Sequence, residues 1–232
     1  MSGRIALAAS LSLISTASLA AEALRVDAGP PPQMPNSPAA RLFTDDGFER
    51  ALARDLGKAM GRPVTLVAEG ADIVLHHGAE GALVARQAMT VAMRTDTDIA
   101  SWDDLRGRTL CLADTNAAGI ALAAELGALP VPQSAPALSL MRVRTGECDA
   151  ALHDAGALAA LFADPDWAKF SATLPPREVP ALRATASPAL LSRMTDALAA
   201  IASPAAWQIR NAAWARDVAL EVWLEQDAPD CH

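Results

Sequence analysis

The chain has 232 residues, of which 52 % are hydrophobic, and carries a formal net charge of −8. This charge disfavours nucleic acids and anionic membrane surfaces as partners, because both repel an acidic protein. An acidic surface fits a cationic ligand, although it is also the ordinary state of exported proteins. The length suits one large domain or two small ones.

The first twenty residues have the pattern of a secretory signal peptide. Arg4 precedes an apolar run, Ile5–Ile14, that is too short to span a membrane, and Ser18-Leu19-Ala20 offers the small residues that a signal peptidase requires. We expect cleavage after Ala20, leaving 212 residues with a net charge of −9. With no Cys near the cut and no later run as long as a transmembrane helix, we expect a periplasmic protein without membrane insertion.

The segment after this signal predicts a strand, a loop, a helix and a second strand. Ala23–Val26 is the first strand, and the proline-rich stretch Asp27–Pro38 is an extended loop that either faces a ligand or is a surface linker. Apolar residues every fourth position predict a helix over Gly47–Met60, capped by Asp45 or Asp46. Pro63–Val67 is the second strand, so the segment forms a βαβ unit.

Only about residues 68–71 separate the second predicted strand from the third, Ala71–His76. A parallel crossover needs about a dozen residues. We therefore expect either a hairpin or one strand outside the main sheet. A further apolar run, Gln87–Met93, comes next.

The middle of the chain predicts a second α/β unit. Ser101 caps a short helix with Asp104 in a near capping box, and Thr109–Ala113 is a strand. Asp114-Thr115-Asn116 then opens a helix to Leu126. Either this helix N-terminus binds an anion, or Asp114 is an ordinary N-cap.

The rest of this unit is a strand at Val131, a helix over Ser134–Thr145 ending at Gly146, a strand at Ala150–Leu152 and a helix over Ala155–Phe162. Asp154 lies at the carboxyl end of its strand, where open α/β sheets bind ligands, or is an ordinary solvated residue.

The last part of the chain predicts a strand over Glu178–Thr185 and helices over Pro188–Ile201 and Ala205–Leu224. Tryptophans of the final helix, Trp207, Trp214 and Trp223, are expected in the core and between helices.

Three cysteines remain in an oxidising compartment. Cys111 lies in one predicted strand and Cys148 opens another, so neighbouring strands predict a disulfide between them. Cys231 is then a free thiol. The histidines and cysteines have no metal-ligand spacing, so neither a metal nor another cofactor is expected.

Three motifs resemble those of the family 3 periplasmic solute-binding proteins. They are Ile99–Leu110, similar to the "sleeDLkGk" element, Gly146–Asp154, similar to "G-x-x-D-A-x-x-x-D", and Asp45–Glu49 with the helix after it. Pro35, Ser37 and Gly47-Phe48-Glu49 also resemble the homologues associated with periplasmic quinoprotein alcohol dehydrogenases. The resemblance covers nearly all of the chain after the signal.

This resemblance implies a two-lobed α/β fold with a reduced first lobe, since the family helix between the second and third strands is absent. The first lobe would comprise residues 21–94 and 176–232, and the second 95–175. Hinges would lie near Arg94–Thr95 and Pro175–Pro176.

The resemblance also implies a set of ligand-binding residues. Asp154 would hold a ligand ammonium group, and Thr115 with Asn116 a ligand carboxylate. His76 and His77 follow the third strand as further cleft residues or as surface residues. The first-strand loop would add Asp27 and Ser37.

The residues leave three functions open. The first is a binding protein that closes on a small-molecule ligand and delivers it to an ABC permease. The second is an accessory or chaperone-like partner of a periplasmic quinoprotein dehydrogenase. The third, an enzyme using Asp27, His76, His77, His153 and Asp154, lacks a nucleophile motif, and we expect no catalytic residues.

Overall fold

The computed structural model describes residues 22–31 and 47–225, with only the backbone of Glu225. Eight strands span Leu24–Asp27 (β1), Val64–Leu66 (β2), Ile73–His77 (β3), Ala82–Ala92 (β4), Thr109–Ala113 (β5), Leu129–Gln133 (β6), Ala150–Asp154 (β7) and Arg177–Ala186 (β8). Six α-helices span Phe48–Ala59 (α1), Ala117–Leu126 (α2), Pro136–Thr145 (α3), Ala155–Leu161 (α4), Pro188–Ile201 (α5) and Pro204–Glu225 (α6). Two 3₁₀ helices span Trp102–Leu105 and Pro165–Phe170.

The strands form one mixed sheet in the order β2-β1-β3-β8-β4-β7-β5-β6. β1, β2 and β3 are parallel, β5, β6 and β7 are parallel, and β4 and β8 join the two sets through antiparallel pairs. Each parallel set packs against helices and forms a small α/β unit.

The connection from β2 to β3 contradicts both sequence-based expectations, because both strands belong to the main sheet and both run parallel to β1. Leu66 and Ile73 lie level with the same residue, Val26, on opposite sides of β1. The chain therefore crosses β1 at the level of Val26 and does not return to the beginning of that strand. The six residues 67–72 are enough for this connection. Arg25 holds this crossing: its backbone N–H donates to Asp72 Oδ2 (2.9 Å) and its guanidinium to Glu69 O (3.0 Å).

Three clusters of buried apolar residues make up the core of the described part of the chain. One contains Leu24, Leu52, Ile73, Leu182 and Met194, between the β1–β3 part of the sheet and helices α1 and α5. The other two cover the two faces of the β5–β7 part: one with Met89, Leu110 and Leu152, the other with Cys111, Leu140 and Trp214. β4 belongs to both parts, since Val84 lies in the first cluster and Met89 in the second.

Helix α1 matches its predicted position within one residue at each end. Asp45 and Asp46, the predicted caps, lie outside the described residues. Position 57 requires glycine, because a Cβ there would lie 2.2 Å from Val64 Cγ2. Close contact between α1 and β2 thus compensates for the lower helix propensity of glycine.

Helix ends in the middle of the chain follow the predicted signals with one exception. Gly146 ends α3 with φ 79°, the left-handed conformation that glycine adopts without strain. Ser101 N–H and Oγ both donate to Asp104 Oδ2, at 2.8 and 3.0 Å. The exception is Asp114: α2 begins three residues later, and Asn116 is its N-cap, accepting from Gly119 N–H at 2.8 Å.

The predicted disulfide is confirmed: Cys111 on β5 is bonded to Cys148, just before β7. Cys231 and the expected signal peptide lie outside the described residues.

The prediction for the tryptophans is partly wrong. Trp214 is buried, but Trp223 is 61 % exposed near the end of α6. No helix in the described part of the chain is both long and apolar enough to cross a bilayer.

Candidate functional site

β3 and β7 approach one part of β4 from opposite directions. His77, the last residue of β3, lies level with Ala85, because both pair with Leu182 of β8. Asp154, the last residue of β7, lies opposite Met89. The carboxyl ends of the two strands therefore face each other across residues 85–89 of β4, which we call the seam. Ligands of open α/β sheets bind at such carboxyl ends.

A cavity of about 50 Å³ lies at the seam. Four predicted site residues line it together: His77, Thr115, Asn116 and Asp154. Two larger cavities adjoin it, one of about 450 Å³ that shares Phe48, Gln87 and Asp154, and one of about 310 Å³ that shares Glu49, His77 and Thr115.

The remaining predicted site residues are not at the seam cavity. His76 lines the 310 Å³ cavity. Asp27 borders a separate cavity beside Arg50, and its Oδ1 accepts from Gly29 N–H at 3.0 Å, so it forms the turn after β1. Ser37 lies outside the described residues.

Asp154 is the N-cap of α4 as well as a cavity residue. Its Oδ1 accepts from Gly156 N–H (2.8 Å) and Ala157 N–H (3.0 Å). Burial raises the pKa of this carboxyl above its usual value, and the two backbone hydrogen bonds oppose that rise. A carboxylate held by a helix N-terminus at a cavity wall is well placed to accept a further hydrogen bond from a ligand.

His77 faces Glu49, the third residue of the Gly47-Phe48-Glu49 motif. His77 Nε2 lies 3.2 Å from Glu49 Oε1, within ion-pair distance but outside hydrogen-bonding geometry. Burial, with a smaller contribution from His76, lowers the pKa of His77. The histidine is therefore mainly neutral at pH 7 and does not neutralise the carboxylate of Glu49.

Thr115 and Asn116 bring neutral donors to the cavity. Asn116 Oδ1 is engaged in capping α2, while its amide nitrogen lies 4.0 Å from Met89 Sδ. The N-terminus of α2 thus carries its own side-chain cap.

His153 is buried in the wall of the cavity. Its Nε2 lies 2.7 Å from Ser139 Oγ, and its ring lies 5.5 Å from that of Trp214. Ser139 Oγ is also 2.6 Å from Pro136 O. Because a carbonyl oxygen can only accept, the hydroxyl donates to Pro136 O and accepts from His153 Nε2–H.

The Ser139–His153 pair does not have the geometry of a nucleophile with its base. Ser139 has no exposed surface, and its proton is committed to Pro136 O. Burial lowers the pKa of His153 to about 3, so the imidazole is neutral. Its Nδ1, which makes no hydrogen bond to any described residue, is therefore a hydrogen-bond acceptor.

Gln87 and Met89 are cavity residues that sequence reasoning missed. They alternate with Ala88 on β4 and point to one face, which lines the cavity. Gln87 is only 7 % exposed, and its Oε1 has no hydrogen-bond partner among the described residues. The one available signal was a glutamine at the start of the apolar run 87–93.

The described residues contain no group of three or more His, Cys, Asp or Glu side chains that could hold a metal ion.

The fold of the chain is that of two-lobed periplasmic-binding proteins, with a first lobe that lacks the helix between β2 and β3. It is similar to the GluR0 ligand-binding core from Nostoc punctiforme in complex with L-glutamate (TM-score 0.54, 15 % identity, 83 % of this chain and 99 % of that one). It is also similar to an ancestral arginine-binding protein bound to arginine (0.52, 16 %, 83 % and 97 %).

A third similar structure is the substrate binding protein of an amino acid ABC transporter (TM-score 0.51, 15 % identity, 88 % of this chain and 99 % of that one). No protein-family model and no curated protein matches the sequence. At these identities the similarity establishes the fold alone.

Proposed function

We propose that this protein is an exported binding protein that closes two lobes around a small ligand at the seam. One observation carries the proposal: Gln87 lines the cavity together with Asp154, and its buried amide oxygen has no hydrogen-bond partner among the described residues. Such an atom costs about 1–3 kcal/mol when it lacks a hydrogen bond, and folded proteins keep few of them. A ligand that donates a hydrogen bond would satisfy it.

The lobes of this proposal meet at the seam. The first core cluster ends at Val84 on β4, and the second begins at Met89. The pairing of β4 with β8 changes register between Leu83 and Gln87, which weakens the ladder there. We therefore locate the hinge in β4 at residues 85–88, together with the facing part of β8, instead of near Arg94–Thr95 and Pro175–Pro176 as the family resemblance implies.

Helix α6 limits how far the lobes can separate in this proposal. Arg210 Nη2 pairs with Asp55 of α1 at 2.8 Å, whereas Trp214, Val218 and Val222 belong to the core cluster of α3 and α4. Since α6 is anchored on both sides, we expect a closure of small amplitude.

Binding rather than catalysis suits the polar groups of the cavity. Asp154 is held as a helix cap, and the hydroxyl of Ser139 is buried away from the cavity. The Cys111–Cys148 disulfide and the signal-like residues 1–20 support a periplasmic location. In an uptake role the partner would be an ABC permease. The comparisons give no support to the accessory role, and we do not propose it.

Ligand screening on matched variants tests the proposal. Wild type is screened by thermal shift against amino acids, amines and organic acids, with fluorescence of the cavity residue Trp214 as a reporter of closure. A ligand present at 100 times its Kd should stabilise the protein by about 2.7 kcal/mol. The Asp154→Asn variant should bind the ligand at least tenfold more weakly, because asparagine lacks the negative charge. Asparagine still caps a helix, so the variant keeps the N-cap of α4.

Asp154→Ala is a poorer test, since loss of the cap alone costs about 1 kcal/mol. Asp164→Asn is the matched control: Asp164 also caps a helical turn, accepting from Asp166 N–H at 3.0 Å, but lies outside the cavity. The proposal is wrong if no compound shifts the melting temperature or fluorescence, or if Asp154→Asn binds the ligand as tightly as wild type.

A further inference from the structure

The charged side chains that line the seam cavity are acidic. Asp154 supplies a carboxylate to it, and neither lysine nor arginine is among the described residues that line it. His77 and His153, the two histidines of the cavity, both have pKa values lowered by burial, so neither supplies a compensating positive charge at neutral pH. The cavity therefore favours a positively charged group.

Two neutral side chains of the cavity, those of Gln87 and His153, supply hydrogen-bond acceptors in addition to the carboxylate of Asp154. Gln87 Oε1 has no partner in the described part of the protein. His153 donates through Nε2 to Ser139, which leaves Nδ1 as an acceptor. An ammonium group has three N–H donors and no acceptor, and so matches Asp154, Gln87 and His153.

The adjoining cavity of about 450 Å³ has room for an apolar body. It shares Gln87 and Asp154 with the seam cavity, so a ligand bound there by its ammonium group could extend into it. Its walls include Leu83 and the edge-to-face pair Phe48–Trp207, whose ring centroids are 5.7 Å apart.

The cavity walls offer fewer binding groups for a ligand carboxylate than for an ammonium group. Thr115, Asn116 and the indole N–H of Trp207 offer only neutral donors. Asn116 already caps α2, and Trp207 Nε1 has no hydrogen-bond partner among the described residues. Arg86 is the one arginine among the described residues that line these two cavities, and it is exposed, where solvent screens its charge.

We propose that the ligand is an organic amine with an apolar body and no carboxylate: its ammonium group donates to Asp154, Gln87 and His153, and its body lies against Phe48 and Trp207. This inference rests on the proposed binding function and narrows it to one class of ligand.

Matched pairs of compounds that differ by one carboxylate test the ligand class. Isothermal titration compares 2-phenylethylamine with L-phenylalanine, and 3-methylbutylamine with L-leucine. In each pair we expect the amine to bind at least tenfold more tightly than the amino acid. Gln87→Met should weaken amine binding about tenfold or more, as expected for losing a hydrogen bond to a charged group. Asp164→Asn, at a residue outside both cavities, should leave amine binding unchanged.

The outcomes separate the two proposals. If the amino acid of each pair binds as tightly as the amine, and Arg86→Ala weakens it, Arg86 holds a carboxylate and the amine class is wrong. If only a compound without an amine binds, and Asp154→Asn abolishes that binding, the ligand class is wrong while the binding function stands. If nothing binds, both are wrong.

Discussion

His153 Nε2 lies 2.7 Å from Ser139 Oγ, and burial of this histidine lowers its pKa to about 3. An unfolded histidine has a pKa near 6.5, so between these values the unfolded chain binds one more proton than the folded one. We therefore expect the free energy of unfolding to decrease as the pH falls below about 6.5, by up to about 1.4 kcal/mol per pH unit from this residue.

Urea denaturation between pH 7 and pH 5 measures this dependence. His77, whose pKa is also lowered, contributes in the same direction, so the comparison is with His153→Gln, which keeps a polar side chain but does not titrate. The variant should lose most of the slope. Equal slopes in both proteins would show that His153 becomes protonated in the folded state.

Asp149 connects the beginnings of β5 and β7. It accepts from Thr109 N–H (2.8 Å), Thr109 Oγ1–H (2.7 Å) and Arg108 Nη1–H (3.3 Å). Burial acts to raise the pKa of Asp149, but these hydrogen bonds and the charge of Arg108 outweigh it and lower the pKa. Its stabilisation is therefore present above pH 4 and is lost as the pH falls through the lowered pKa.

We expect Asp149→Ala to lower the free energy of unfolding at pH 7 by about 2–3 kcal/mol, as is typical for breaking a partly buried hydrogen-bond network. Asp98→Ala is the control: Asp98 pairs with the same Arg108 at 2.6 Å, but its side chain is 75 % exposed. This second change should cost less than about 1 kcal/mol. Equal losses in chemical denaturation would mean that the contacts with Thr109 contribute nothing.

The Cys111–Cys148 disulfide closes a loop of 37 residues that contains β6, α2 and α3. Loop-closure entropy for this length corresponds to about 4 kcal/mol. We expect the double variant Cys111→Ala/Cys148→Ala to lose up to that amount in denaturant titrations. Cys231→Ser should leave stability unchanged and remove the single thiol that reacts with a thiol reagent; two additional reactive thiols in the native wild type would contradict the disulfide.

The sequence predicts most of the elements because their local signals agree with their packing. Gly146 ends a helix, Ser101 and Asp104 cap another, and β5 spans the predicted residues without change. The crossing from β2 to β3 could not be predicted, because it depends on where each strand lies along β1. A length rule for crossovers assumes that the chain returns to the start of its neighbour, and here Ile73 begins level with Val26, where β2 ends.

Site residues could be predicted from the sequence where they lie at the end of a strand. Asp154 and His77 end β7 and β3, and both line the seam cavity. Gln87 and Met89 lie inside a strand, so their role depends on the register of β4 with two different neighbours. Asp27 also ends a strand, β1, but its side chain turns back to its own loop and accepts from Gly29 N–H. The long-range register of the strands therefore decides which of these residues lie at the cavity, and a single sequence does not contain that information.

Gln87 should be destabilising in the absence of ligand. Because its buried Oε1 has no partner among the described residues, an apolar side chain of similar length should be more stable there. We expect Gln87→Met to raise the free energy of unfolding of the ligand-free protein by about 1 kcal/mol.

Gln133 provides the matched control, since it is also 7 % exposed but hydrogen-bonded at both ends. Its Oε1 accepts from Arg142 Nε–H (2.7 Å), and its Nε2–H donates to Val131 O (3.2 Å). Gln133→Met should therefore lower the free energy of unfolding by about 1–3 kcal/mol. Opposite signs for the two substitutions in urea denaturation would identify the oxygen of Gln87 as an acceptor kept for a ligand. A loss of stability in both would mean that Gln87 stabilises the fold, and its place in the binding proposal would have to be abandoned.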